Sequence, residues 1–418
     1  MLRAVRPCFF RVSSVLAFRS FAHVPDAPPD PILGLGIAFA ADTHPKKVNL
    51  GVGVYRGDDG KPFVLNCVRK AEDRVHQKKL DFEYAPITGV PGFVDQARNL
   101  AFGAGNAAVQ AKRVASTQSL SGTGALRLAG EYLRRFGPPS KKVFLPAPTW
   151  GNHASVFRDS GLEPGNYPYY NSPTKSIDVD ATVKFIETAP QGSIFLLHAC
   201  AHNPTGLDPT SAQWEKIAAA LNAHGHLPLV DMAYQGFASG DADRDGFAWR
   251  LISKSFPCFV GCQSMAKSFG LYGQRIGAMH IQTDTAESTE KILAQVKLVV
   301  RAMYSNPPIH GARIVEEVLK DAALTEEWKG ELKQMADRMN GVRGSLVKRL
   351  GEIGSKHDWN HITKQIGMMA FTGLNLEQVN RLKSEYHIYM TADGRAAITG
   401  LNSRNVDYVA ECFHAVSK

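Results

Sequence analysis

Long apolar runs are missing from this 418-residue chain. None approaches the ~18 residues of a spanning helix, so no membrane segment is expected. Cysteine is scarce: Cys8, Cys67, Cys200, Cys258, Cys262 and Cys412 include no C-x-x-C pair. That argues against a disulfide framework or a zinc site and suits a reducing compartment. Cys258 and Cys262, four apart on an expected strand, read as small core residues on one face. Lys and Arg outnumber Asp and Glu by 48 to 39, a formal net charge of +9, yet the basic residues form no stripe. Without a recognition helix or finger spacing, nucleic acid is not an expected partner. An anionic small-molecule substrate is the better use of the excess charge. Two phosphate-loop signatures also fail. Gly122-Thr123-Gly124 opens a helix, but Arg127 stands where a dinucleotide fingerprint needs its third Gly, and no Gly-Lys-Ser/Thr motif follows.

Acidic residues are absent before Asp26, while Arg3, Arg6, Arg11 and Arg19 punctuate an apolar, Ser-bearing stretch. That composition predicts a mitochondrial transit peptide over residues 1–21 and a matrix location; a disordered arm is the alternative. Arg19-Ser-Phe21-Ala22 resembles a processing-peptidase site cut after Phe21.

Beyond a Pro-rich arm (Pro25, Pro28, Pro29, Pro31), short apolar strands alternate with amphipathic helices. Strands are expected at Lys142–Leu145, Ile194–Leu197, Leu227–Val230, Phe256–Cys262 and Ile276–Ile281. Helices are expected at 63–80, Ala125–Phe136, Ala212–Gly225, 284–300 and 309–350. This alternation predicts an α/β fold with a mostly parallel sheet. In such sheets ligands bind beyond the strand carboxyl ends, and the chemistry-bearing residues fall there. Gly122-Thr123-Gly124 suits an anion cradle, or merely a helix cap. Trp150 follows one strand and suits stacking on a flat ring, or core packing. Asn203 and Tyr234 follow two more, and each offers a donor to an oxygen. Asp231 ends a buried strand, where a carboxylate is costly without a cationic partner. His153 and His198 stand nearby as supports or core histidines. Ser264-Met-Ala-Lys267-Ser-Phe-Gly-Leu-Tyr272-Gly-Gln-Arg275-Ile-Gly277 joins two strands. A buried Lys there has a lowered pKa and serves as an amine nucleophile, while Arg275 and Ser264 suit a phosphate. Alone, the stretch also suits a solvated loop. Arg301, before a Ser-Asn-Pro-Pro break, and Arg395 each offer a bidentate carboxylate clamp.

These pieces, in order, resemble the aspartate aminotransferases, the class I, fold type I group of pyridoxal phosphate enzymes. The likeness covers residues 26–418. It rests on Asn49–Tyr55, Tyr84–Gly89, Ser121–Leu126, Pro148–His153, His202–Gly206, Asp231–Phe237, Ser264–Tyr272, Arg301–Pro308 and Gly394-Arg395. The resemblance implies a fold type I transferase: a mostly parallel sheet sandwiched by helices, plus a smaller α+β domain. It implies residues 22–62 as arm and part of the small domain, 63–315 as the large cofactor domain, and 316–418 as the rest of the small domain.

The resemblance further implies a pyridoxal 5'-phosphate Schiff base on Lys267. Asp231 would hold the pyridine nitrogen, Tyr234 and Asn203 the ring oxygen, and Trp150 the ring face. Ser121, Gly122, Thr123, Ser264 and Arg275 would bind the phosphate, with Tyr84 reaching it from a second subunit. Gly53, Asn203, Trp150 and Arg395 would meet the substrate, Arg395 clamping its α-carboxylate. Arg301 of a homodimer partner would select a distal carboxylate. The expected reaction is L-aspartate plus 2-oxoglutarate to oxaloacetate plus L-glutamate by a ping-pong route. A broad-specificity or aromatic aminotransferase is the alternative. Two departures touch the substrate side: Met369 stands where an aromatic is frequent, and Ala396-Ala-Ile-Thr-Gly400 follows Arg395.

Overall fold

The computed structural model describes residues 21–22, 24–27, 30 and 32–418. The targeting expectation for 1–21 therefore lies almost wholly outside the described residues. Seven strands form the central sheet: β1 (Val114–Leu120), β2 (Lys142–Ala147), β3 (Glu163–Pro168), β4 (Ile194–His198), β5 (Leu227–Met232), β6 (Phe259–Ser264) and β7 (Ile276–Gln282). Their spatial order is β1-β7-β6-β5-β4-β2-β3. All neighbours are parallel except β7, which runs antiparallel to both β1 and β6.

The strands read as unbroken apolar runs because both faces are covered. Along β4, Phe195 and Leu197 enter one core, while Ile194 and Leu196 enter the other. Along β5, Val230 and Met232 face the first core and Leu229 the second. A buried polar string crosses beneath the sheet. Ser116 Oγ lies 2.8 Å from His280 Nδ1, His280 Nε2 lies 3.2 Å from Gln263 Oε1, and Gln263 Nε2 donates to Gln235 Oε1 at 3.1 Å.

Three helices matter for the site. The first, α1 (Asn66–Gln77), has no side chain of its own at its N-cap. The buried Glu331 carboxylate supplies the acceptor instead, taking the Asn66 and Cys67 N–H groups at 2.7 and 3.1 Å. A negative charge there also complements the helix dipole. The second, α2 (Ser121–Phe136), starts directly from β1. The third, α3 (Ala322–Glu352), is capped by Asp321, whose carboxylate accepts the Leu324 N–H at 2.9 Å. Its first half (Leu324, Trp328, Leu332, Met335, Met339) packs into the first sheet core. Its second half (Leu346, Leu350) packs into a third core with Val48, Leu50, Ile388 and Ile398. There Val48–Asn49 pairs parallel with Ile388–Tyr389, and β8 (Met369–Phe371) pairs antiparallel with β9 (Arg395–Ala397).

Two local expectations are corrected. β6 begins at Phe259, so Cys258 lies outside it and is exposed, while Cys262 is buried. The helix expected to end near 300 runs through Met303, which puts Arg301 in its last turn.

Candidate active site

The sheet gathers the chemistry at one edge. β1, β2, β4, β5 and β6 all point their carboxyl ends there, and antiparallel β7 starts there. Gly53, Ser121, Gly122, Thr123, Trp150, Asn203, Asp231, Tyr234, Ser264, Lys267 and Arg275 line one cleft at this edge.

One wall is an anion cradle. No side chain caps α2, so its first-turn N–H groups open toward the cleft. Ser121 adopts φ +61°, a left-handed backbone, and its hydroxyl lies 3.0 Å from that of Ser264. A Cβ at Gly122 would come within 3.1 Å of the Ser264 Cβ. Arg275, also left-handed at φ +54°, donates to the Tyr272 carbonyl at 2.8 Å and lines the same cleft.

Across the cleft a chain of short contacts begins at Asp231. Its Oδ2 lies 3.2 Å from His153 Nε2. His153 Nδ1 lies 2.8 Å from Thr149 Oγ1, which lies 3.1 Å from His198 Nε2. His198 Nδ1 accepts the Asn203 N–H at 3.4 Å. Burial pushes His198 down to about 3, so the imidazole is neutral and acts as a relay of orientation. Burial alone would raise Asp231, but the His153 hydrogen bond and the Lys267 ammonium leave it below the ordinary carboxylate range. The carboxylate is therefore ionised, held at a strand end, and suited to a ring N–H⁺.

Lys267 sits between these walls, its Nζ 5.3 Å from the Tyr234 ring centroid. Burial pushes its ammonium below the usual lysine value, Asp231 pulls it back and Arg275 adds to the lowering. Tyr234 is pushed up to about 12 by burial, so it keeps its proton. Its hydroxyl lies 3.5 Å from Asn203 Nδ2, two donors converging on one place.

Arg395 is buried. Its Nη2 donates to the Gly51 carbonyl at 2.7 Å, and its Nε has no partner. Burial lowers it, and the nearby Tyr234 and Asp393 oppose that. Tyr84 is 80% exposed, and Arg301 is exposed, bonded to Ser305. The structure does not bring these two into the cleft of their own chain. Sequence reasoning missed Thr149, whose hydroxyl joins His153 to His198. It also missed Tyr272, whose hydroxyl accepts the Tyr55 N–H at 2.9 Å. The loop from Ser264 to Gly277 already contained Tyr272; nothing local distinguished Thr149.

A family model described as aminotransferase class I and II matches residues 45–413. The chain belongs to this family. The mitochondrial aspartate aminotransferase of Dictyostelium discoideum is 51% identical over 398 residues, covering 95% of this chain and 93% of that protein. The solved mitochondrial aspartate aminotransferase of Trypanosoma brucei superposes with a TM-score of 0.89 at 47% identity, covering 92% and 100% of the two chains. An aromatic-amino-acid aminotransferase from Burkholderia pseudomallei, covalently bound to pyridoxal phosphate, gives a TM-score of 0.92 at 41% identity over 95% and 99%. This aminotransferase family depends on pyridoxal phosphate. The cleft fits that group: an uncapped helix end and two hydroxyls for a phosphate, an ionised strand-end carboxylate for a ring nitrogen, and a buried amine between them.

Proposed function

We propose that this aminotransferase moves the amino group between L-aspartate and 2-oxoglutarate, giving oxaloacetate and L-glutamate in two alternating half-reactions. The observation carrying the reading is the placement of Lys267 between the Asp231 chain and the Ser121–Ser264 cradle. The relatives' names support the substrate pair and a mitochondrial location.

Pyridoxal phosphate, when bound, supplies an electron sink for the substrate α-carbon. We assign its phosphate to Ser121, Gly122, Thr123, Ser264 and Arg275, its ring nitrogen to Asp231, its ring oxygen to Tyr234 and Asn203, and its ring face to Trp150. His153 orients Asp231 and keeps it ionised. Lys267, with its lowered basicity, would take the proton from the substrate α-carbon and deliver it to C4′ of the cofactor, which is general acid–base work. We assign the α-carboxylate to Arg395, with Gly53 and Asn203. Arg301 and Tyr84 face outward, so we assign them across a homodimer interface: Arg301 to a second copy's distal carboxylate, Tyr84 to its phosphate. Phe82, 93% exposed, and Leu298, 65% exposed, suit burial on assembly.

We further assign residues 63–315 to a large domain, and 22–62 with 316–418 to a small one. The third core, drawn from Val48, Leu50 and residues from 346 on, supports a separate small unit, while the first half of α3 packs on the large one. The deciding experiment compares kcat/KM for aspartate and tyrosine with 2-oxoglutarate as acceptor. Aspartate should lead by at least about tenfold, the worth of one well-placed charged contact. Equal values would replace this reading with the broad-specificity one.

A further inference from the structure

Arg343 is buried without a counter-charge. It projects from α3, is 1% exposed, and has no carboxylate partner among the described residues. Its Nη2 donates to the carbonyls of Gly367 and Met369, the latter at 2.8 Å, and its Nη1 to Asn340 Oδ1 at 3.3 Å. Its Nε has no partner. Burial pulls it down to about 9. A buried guanidinium answered only by neutral dipoles is a costly arrangement, so what it holds matters.

The two carbonyls belong to the segment that enters β8. In a paired strand successive carbonyls point to opposite sides. Met368 O accepts from Ile398 N at 2.9 Å, on the β9 side. Gly367 O and Met369 O point the other way, where no strand follows, and Arg343 takes both. The same segment presses on the loop carrying Asn203. Ile366 N donates to Gly206 O at 2.7 Å. A Cβ at Gly206 would lie 3.0 Å from both Ile366 O and Met369 O, and one at Gly367 would lie 2.5 Å from Ala201 Cβ. On its far side β8 pairs with β9, with Phe371 opposite Arg395. The Met369 carbonyl thus lies where three parts meet: the Asn203 loop, the Arg395 strand pair, and α3.

We propose that Arg343 is a positioning residue that fixes the Asn203 loop and the Arg395 strand in register, so that both groups meet one substrate carboxylate together. The proposal rests on the roles assigned above to Asn203 and Arg395. Without the guanidinium, two edge carbonyls of the β8 segment lose the only partner they have among the described residues, and the segment slackens against Gly206. Of the assigned cofactor contacts only Asn203 lies on this loop; Ser121, Gly122, Thr123, Asp231, Tyr234, Ser264, Lys267 and Arg275 lie at other strand ends and stay in place.

The test uses holoenzyme of Arg343→Lys and Arg343→Met. Binding of an unreactive four-carbon dicarboxylate is followed by the cofactor's absorbance. KM and kcat are measured for aspartate and for alanine, which has only the α-carboxylate. We expect Kd and both KM values to rise together in the Met variant, roughly tenfold, the worth of one to two lost charged hydrogen bonds. The Lys variant should fall between it and wild type, because an ammonium reaches one carbonyl. kcat and cofactor occupancy should change less than about threefold. Kd and KM within twofold of wild type in the Lys and Met variants, with only thermal stability reduced, would overturn the proposal. If the Met variant does not yield soluble holoenzyme, the Lys variant decides by the same criterion. Should wild type bind the dicarboxylate yet fail to transaminate aspartate, the proposed function falls, while the Kd ratio still tests Arg343.

Discussion

Replacing Gly277 with alanine would put a methyl group among three backbone atoms. The added Cβ would lie 2.5 Å from Gln263 O, 2.7 Å from Ser121 C and 2.9 Å from Ser121 Cα, where ordinary contact begins at 3.4 Å. No flexible side chain can swing aside. Gln263 is locked in the β6–β7 ladder, with Gly277 paired to Ser264, so Ser121 must yield. A retreat of about 0.5–0.7 Å restores contact distance to its two atoms, and the remaining shortfall of about 0.9 Å to Gln263 O stays as strain in the ladder beside it. Overpacking of that kind costs about 1–3 kcal/mol. Ser121 opens the phosphate cradle, so the loss should appear as a rise in the Kd for pyridoxal phosphate of roughly 5- to 150-fold. The assay titrates cofactor-free protein with pyridoxal phosphate and, separately, with pyridoxal, which lacks the phosphate. Only the first affinity should fall. Gly273→Ala, where a Cβ meets nothing within 4 Å, is the control on the same loop. Unchanged pyridoxal phosphate binding by Gly277→Ala would refute the reasoning. So would an equal loss for both compounds, because the strain would then act on the ring and not on the cradle.

Three further outcomes are expected. Lys267→Ala should still take up cofactor, judged by absorbance, while transamination drops by about 10²–10⁴, the usual contribution of a positioned acid–base group; retained turnover would contradict the assigned role. Glu331→Gln weakens the two hydrogen bonds at the start of α1 and should lower unfolding stability by about 1–2 kcal/mol in a urea titration, with kcat unchanged. The third concerns acid. Burial pushes His280 from 6.5 to about 3, so the unfolded chain takes up a proton that the folded chain refuses. Stability contributed by the neutral imidazole is therefore full above pH 6.5 and is lost as pH falls toward about 3, by up to ~1.4 kcal/mol per pH unit. His280→Gln keeps a donor and an acceptor for Gln263 and Ser116, and should flatten that acid limb in urea midpoints at pH 7, 5.5 and 4.5.

The sheet was legible because buried parallel strands advertise themselves as short apolar runs; Ile194–His198 and Phe259–Ser264 are buried throughout. The antiparallel sense of β7 was not, because hydrophobic periodicity carries no direction. The connection Met265–Arg275 holds only a three-residue turn, too short for the crossover that a parallel neighbour needs, and that length was the available signal. Cys258 was misplaced because a four-residue spacing says which face residues share only once the strand's start is known. Lys267, Asp231, Asn203 and Trp150 stood out since each lies at or beyond the carboxyl end of a strand. Thr149 did not, because its role exists only once His153 and His198, from separate elements, stand on either side of it. Arg343 was invisible for a related reason: on a charged amphipathic helix, a buried Arg and a solvated one look alike. Tyr84 and Arg301 are exposed on their own chain, so a single subunit places neither.

The pairing of Val48–Asn49 with Ile388–Tyr389 bears on when the chain can fold during its life. Synthesis delivers the first strand roughly 340 residues before its partner, and the third core cannot close until nearly the last helix has emerged. α3 ties the first sheet core to that same late event. The third core of a nascent chain therefore stays open until the chain is almost complete, whereas the second core, drawn from residues 115–300, waits for none of those late elements.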